Sequence, residues 1–266
     1  MSQNILNKLQ QDKLILSKVE DKINFCIQKN QIQNTDFLDL SQKQLISKFL
    51  KTNKISNYIF YGAFDKAERN ILLIYPQKLE SLVKENKIDY SNIISVIRIE
   101  LPNENKGQYT HRDYLGGLMK IGIKREKIGD ILVDENGADI IINKDIEKFL
   151  LLNLSDLTRF SKSKIEKIDI ENLRKLEIKK EEILATVSSM RLDNIVSEIA
   201  KCSRNKANEI IMQERVFVNF EVVTKNTKII KENDLITIRG KGRFKVLELV
   251  HNTRKGRIIV KIEKNI

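Results

Sequence analysis

Residues 191–249 limit what this chain can fold into more than any other stretch. They read Arg191-Leu192-Asp193, then Ser203-Arg204-Asn205-Lys206-Ala207, then Val216-Phe217-Val218-Asn219, and close on Arg239-Gly240-Lys241-Gly242-Arg243. Leu192, Ile195, Val196 and Ile199 recur at the spacing of a helix with one apolar side. Ala207, Ile210 and Ile211 do the same for a second helix and leave Arg204, Lys206 and Asn208 on its outer side. Ser188 or Ser189 is expected to cap a helix at 190–201, and Ser203 the second helix. A tight hairpin is expected at 216–219 and 222–223, and strands at 234–239 and 244–249. A last strand pair, 245–250 running into 257–262, brackets the basic loop 252–256. Two short helices on a small sheet leave little room for a catalytic pocket.

Charge is unevenly spread. The chain has 266 residues and a net charge of +12. Residues 186–266 hold 17 Lys/Arg against 9 Asp/Glu, which leaves +8 there and +4 in the rest. Cations concentrated in one third of a chain suit a polyanionic partner. For any single Lys or Arg, a solvated surface position is the commoner outcome.

Other chemistries lack material. Cys26 and Cys202 are the only cysteines, far apart and without metal-ligand spacing, as in a reducing compartment. His111 and His251 are the only histidines, so a zinc site or a Ser/His pair has almost nothing to use. The start, Met1-Ser2-Gln3-Asn4, is not laid out as a signal peptide, and no apolar run approaches the ~18–20 residues of a membrane span. The expectation is a cytoplasmic monomer with no membrane partner, no catalytic residues, no metal and no cofactor.

The first 182 residues read as two further units, giving an α+β chain with domains at 1–88, 89–172 and 183–266. The first is a small α/β unit: helices over 1–55 with a loop near 28–36, Ser41 opening the helix at 42–50, and strands at 58–61 and 71–75. The second has strands at 93–101, 128–133, 138–142 and 164–170, and helices at 110–121 and 144–152. Thr110 with Asp113 forms a capping box, Gly122 stops the first helix, Asn136-Gly137 marks a hairpin, and Asn143 caps the second helix. The order β-α-β-β-α-β is ferredoxin-like, the topology of RRM domains, but the aromatic RRM signature is missing from its strands. Residues 172–182 read as a solvated connector or part of a strand.

The C-terminal motifs resemble the S-four RNA-binding domain over about sixty residues. Further motifs extend the likeness: Thr35-Asp36-Phe37-Leu38-Asp39, Ala67-Glu68-Arg69, Tyr75-Pro76, Thr110-His111-Arg112-Asp113-Tyr114-Leu115-Gly116-Gly117-Leu118-Met119, Gly122-Ile123-Lys124-Arg125 and Gly129-Asp130-Ile131-Leu132-Val133. In this order they are similar to the YlmH family of bacterial cytosolic RNA-binding proteins. Two departures from the S-four pattern stand out: Glu214 and Phe220 occupy places where glycine is usual. Asn219 is then expected to carry the hairpin turn. The resemblance implies binding to ribosomal RNA and tRNA on the large ribosomal subunit, in rescue of obstructed subunits that carry peptidyl-tRNA, and an association with a cell-division operon.

The expected RNA-binding residues are Arg191, Ser203, Arg204, Lys206, Asn219, Lys225, Arg239, Lys241 and Arg243. Guanidinium groups grip phosphates with paired hydrogen bonds, and a helix N-terminus already favours an anion. A second RNA surface is expected at His111, Arg112, Lys120, Lys124, Arg125 and Lys127, on the strength of the resemblance. His111-Arg112-Asp113 spells the start of a kinase catalytic loop, but Leu118 stands where that loop needs Asn, so a helix start with a His–Asp contact is the simpler reading. Asp193 reads as an acid favoured by the helix dipole. Two other functions compete: an RNA-modifying enzyme of the pseudouridine synthase type, and an interaction scaffold linked to cell division.

Overall fold

A computed structural model describes residues 3–65, 67–174, 180–219, 221–252 and 256–265. Phe220, residues 175–179 of the expected connector and residues 253–255 of the expected basic loop lie outside the described residues. The chain divides into two compact units, Met1–Leu176 and Glu177–Ile266.

The first unit begins with α1 (Gln3–Lys29), β1 (Gln33–Asn34), α2 (Leu40–Thr52), β2 (Tyr58–Tyr61), β3 (Ile71–Ile74) and the short α3 (Glu80–Lys84). Ser41 does not open α2. Asp39 is the cap: its carboxylate accepts the Gln42 N–H at 2.9 Å while the Gln42 side chain accepts the Asp39 N–H at 2.9 Å. An Asp followed three places on by Gln satisfies two orphan donors at once, which Ser41 cannot do from inside the helix. The three strands pair antiparallel in the order β1-β3-β2. Central β3 is buried on both faces: Leu72 and Ile74 pack with Val19, Ile23, Ile46 and Leu50 of the helices, while Ile71 and Leu73 pack on the other side.

The same unit continues with β4 (Ile94–Glu100), α4 (His111–Lys120), β5 (Ile128–Asp134), β6 (Gly137–Asn143), α5 (Glu147–Asn153) and β7 (Lys164–Ile168). Its sheet order is β5-β6-β4-β7, all antiparallel, which is the ferredoxin-like arrangement. Tyr114, Leu118 and Leu150 of the helices cover Ile97, Ile99, Ile140 and Ile142 on one face. Gly137 has φ 149°, and a Cβ there would lie 1.9 Å from the Ile99 carbonyl oxygen, so only glycine lets the hairpin approach β4. Asn143 differs from expectation. It stands before a short 3-10 turn but makes no capping bond, and its amide donates to Asp36 instead.

The opposite face of this sheet decides how the domain can be used. Ile94, Val96 and Ile141 pack there against Phe37, Ile71 and Leu73. Beside them lies Asp139, fully buried. It accepts Nε and Nη2 of Arg98 at 2.8 and 2.7 Å, and the backbone N–H and Nε of Arg174 at 2.8 and 3.0 Å. Arg174 also reaches Glu100 at 2.8 Å and Asp134. Arg174 and the Asn172 carbonyl are therefore tied to the sheet, because a buried carboxylate needs charged donors.

The second unit holds β8 (Lys180–Val187), α6 (Leu192–Ile199), α7 (Arg204–Met212), β9 (Val216–Val218), β10 (Glu221–Val222), β11 (Leu235–Ile238), β12 (Gly242–Asn252) and β13 (Ile258–Asn265). They form a six-stranded antiparallel sheet ordered β10-β9-β11-β12-β13-β8. Leu192, Ile195, Val196, Ala207, Ile210 and Ile211 pack onto its inner face. Residues 180–182, read as connector or part of a strand, belong to the edge strand 180–187, in register with β13 from Lys180–Asn265 to Val187–Ile258. Helix α6 is shorter than expected, and neither Ser188 nor Ser189 caps it. Both hydroxyls accept the Asn194 amide instead, at 3.0 and 2.8 Å. Asn219 adopts φ of 49°, the left-handed conformation expected of it, and Glu214, in a place where glycine is usual, adopts 58°.

Candidate nucleic-acid interface

Asp193 organises the head of the second unit. In the first turn of α6, with its side chain 1% exposed, it accepts Arg191 Nε and Nη2 at 3.1 and 2.8 Å, and Arg204 Nε and Nη2 at 3.1 and 2.9 Å. Burial alone would raise its pKa, but the two guanidinium groups hold it below the ordinary value. One carboxylate against two guanidinium groups leaves one net positive charge. It also presents both planar groups in fixed orientation, with Arg204 half exposed. Asp193 is thus more than an acid favoured by the helix dipole. Among the described residues, no hydrogen bond engages either Nη1.

A loop is laid against this point. Leu192 N–H donates to the Lys228 carbonyl at 2.8 Å and Asp193 N–H to the Asn226 carbonyl at 3.1 Å. The Asn226 amide donates to Asn208 of α7 at 3.3 Å. These bonds bring Lys225, which is exposed and has no ion pair among the described residues, onto the same loop as Lys228, beside the starts of both helices. Ser203 caps α7 by accepting the Lys206 N–H at 3.3 Å, and Lys206 pairs with Glu209 at 2.6 Å.

The other expected residues belong to the sheet. Asn219 spends both ends of its amide at the start of β11, donating to Asp234 just before it at 2.8 Å and accepting the Leu235 N–H at 2.9 Å. Lys241 donates to the Ala200 carbonyl at the end of α6, at 2.6 Å. Arg239 sets its guanidinium carbon 4.9 Å from the Phe217 ring centroid. Arg243 is half-buried near the start of β12. Lys241 and Asn219 thus hold the fold together with the same atoms that would meet RNA.

The first unit separates its expected surface into two classes. Arg112, Lys120 and Lys124 are exposed, and no ion pair reaches them among the described residues. Arg125 instead donates to the Ile128 and Gly129 carbonyls at 2.7 and 3.2 Å. Burial, with Arg69 adjacent, pushes its pKa down to about 10. Lys127 bridges Asp36 and Asp145 at 2.7 and 2.6 Å. Desolvation and the neighbouring Arg125 also lower the His111 pKa, which disfavours its charged form. The expected His111–Asp113 contact is not among the described hydrogen bonds. Asp113 accepts the Thr110 N–H at 2.9 Å and its hydroxyl at 2.7 Å, as a capping box does.

Comparison with known families places these features. Residues 85–172 match a model described as the putative RNA-binding domain in YlmH, and residues 190–236 match the S4 domain. A relative from Bacillus subtilis (strain 168), the ribosome-associated protein quality control protein P2, is 29% identical over 230 residues, 86% of each chain. In both matched regions and along most of its length, this chain is similar to YlmH-family proteins. A solved YlmH structure, titled a cell division protein from Streptococcus pneumoniae, is 23% identical, with a TM-score of 0.48 over 62% of this chain and 95% of that one.

Within this chain, the S4 match covers α6, α7, β9, β10 and the start of β11, while β8, β12 and β13 lie outside it. The YlmH RNA-binding match covers the ferredoxin-like sheet. RRM domains stack bases on the face turned away from the helices. Here Phe37, Ile71, Leu73 and the Asp139 cluster occupy that face. The domain has RRM topology without that open RRM surface. Several residues escaped the sequence reading: Asp193 as an organiser, Lys228, and Arg215, whose Nη2 donates to the Arg239 carbonyl at 3.1 Å. The Arg-x-Asp spacing at 191–193 was the available signal for the first. The others depend on loops folding back.

Proposed function

We propose that this chain is a non-enzymatic RNA-binding protein that associates with the large ribosomal subunit. It contacts ribosomal RNA and peptidyl-tRNA there, in ribosome-associated quality control. The observation that carries this reading is the pair of guanidinium groups fixed on Asp193 at the head of the S4 domain. Structured RNA is recognised by its shape and by phosphate and 2′-hydroxyl contacts, so rigid cations suit it better than a helix built to read bases. The two RNA-binding domain matches and the name of the Bacillus subtilis relative support the ribosomal partner. The reading against pseudouridine synthase chemistry rests on the same residue: such an enzyme needs a catalytic Asp free to meet substrate, and Asp193 is committed to two arginines. Arg112, Lys120 and Lys124 serve as a second RNA contact in this reading.

Co-sedimentation with isolated large subunits at low salt tests it. Wild type pellets with the subunits. Arg204→Ala combined with Lys206→Ala stays largely in the supernatant, and the slope of log affinity against log salt falls by about 1–2. Wild-type protein that fails to pellet, or a double variant that pellets as wild type does, contradicts the proposal.

A further inference from the structure

In the second unit, Val216, Val218, Ile236, Ile238, Phe244 and Val246 are buried in the core. The alternate residues of the same strands face the other way. Register sets Val222, Phe217, Thr237 and Arg243 in one row across β10, β9, β11 and β12. Arg239, two residues beyond Thr237, places its guanidinium carbon 4.9 Å from the Phe217 centroid. Arg215 holds this arrangement from the other end: it donates Nη2 to the Arg239 carbonyl at 3.1 Å and accepts the Arg239 N–H at 2.9 Å. Lys245 is exposed on the same face. The other described aromatic of this unit, Phe244, is 1% exposed and unavailable to any ligand.

We propose that Phe217 and Arg239 form a stacking site for an unpaired RNA base, with Arg215 and Lys245 beside it to meet the flanking phosphates. This rests on the RNA-binding reading above and adds a preference for single-stranded RNA to it. The ring anchors the guanidinium from below through its quadrupole. Arg239 is exposed, so its planar cation is open to a base on the solvent side. Bases stack on aromatic rings and on guanidinium planes alike. A duplex keeps its base faces inside its own stack, so the site discriminates unpaired from paired RNA. Among the described residues no ring lies beneath the Asp193 arginines, which grip phosphate in either form.

The test titrates the full chain with labelled oligoadenylate, oligouridylate and an RNA duplex, each of about 12 nucleotides per strand, within the size range of single-strand sites. Wild type binds oligoadenylate more tightly than oligouridylate, since purines stack better. Phe217→Leu keeps an apolar side chain but loses the ring; it weakens oligoadenylate binding about tenfold and leaves the duplex within about twofold. Phe217→Trp restores the single strand. Arg239→Lys keeps the charge without the plane and repeats the selective loss. Phe217→Leu binding oligoadenylate as wild type does, or losing single strand and duplex equally, overturns the stacking site alone. Wild type binding none of the three RNAs removes the RNA reading along with it.

Discussion

Arg204 and Asp193 belong to different helices, yet Arg204 donates both Nε and Nη2 to one Asp193 oxygen, at 3.1 and 2.9 Å. Arg191 occupies the other side of the same carboxylate. The positive charge of this surface is therefore positioned by a buried acid.

That relationship predicts a pH effect of known sign. The folded Asp193 pKa lies below its unfolded value, so the unfolded chain binds the proton first as pH falls. The contribution is fully present above the ordinary aspartate range and is lost as pH drops through the folded pKa. Thermal melts should show wild type losing stability below about pH 4 more steeply than Asp193→Asn. At neutral pH that variant should also bind large subunits more weakly, since neither arginine is held. Parallel acid profiles for the two proteins would contradict the assignment.

Removing Asp139 should be far more damaging. Asp139→Ala leaves Arg98 and Arg174 without their shared buried partner. The expected cost is about 3–5 kcal/mol, the range for breaking a buried pair from one side. Chemical denaturation of the full chain measures it. A loss under about 1 kcal/mol would mean that the cluster does not hold residues 172–174.

The basic residues of the first unit should separate by assay. Arg125→Ala removes two carbonyl partners and should destabilise the fold by about 2–3 kcal/mol. Arg112→Ala, Lys120→Ala and Lys124→Ala together should leave the melting temperature within a few degrees while lowering affinity for large subunits. If the triple variant binds as wild type does, the second surface is not an RNA contact.

Glu214 offers a gain. Its φ of 58° at the end of α7 strains any residue with a Cβ. Glu214→Gly should stabilise the chain by about 0.5–1 kcal/mol, read as a rise in denaturation midpoint with unchanged slope. A lower midpoint would show that the Glu214 side chain contributes more than its backbone costs.

Much of this fold was legible in the residue pattern. The helical spacing at 192–199 and 207–211 and the Asn136-Gly137 hairpin turn act over a few residues. So does the left-handed Asn219. Local periodicity and turn chemistry determine such features wherever they sit. Boundaries and caps were less legible: Asp39 displaced Ser41 as a cap, and Ser188, Ser189 and Asn143 turned to other partners, because capping competes with whatever tertiary neighbours offer.

The site followed the same division. That Arg191, Arg204 and Lys225 would be surface cations was readable from charge and periodicity. That Arg125, Lys127, Lys241 and Asn219 spend their polar groups on other parts of the protein was not, since their partners are reached only through the fold. Only tertiary structure closed the open face of the ferredoxin-like sheet, with Phe37 and β3 from an earlier part of the chain. The sequence by itself determined which segments are helix, strand and turn, and where cations are plentiful. Long-range packing decided which of those cations remain free, because a charge brought into the interior must find its counter-charge or carbonyl there and is then lost to any ligand.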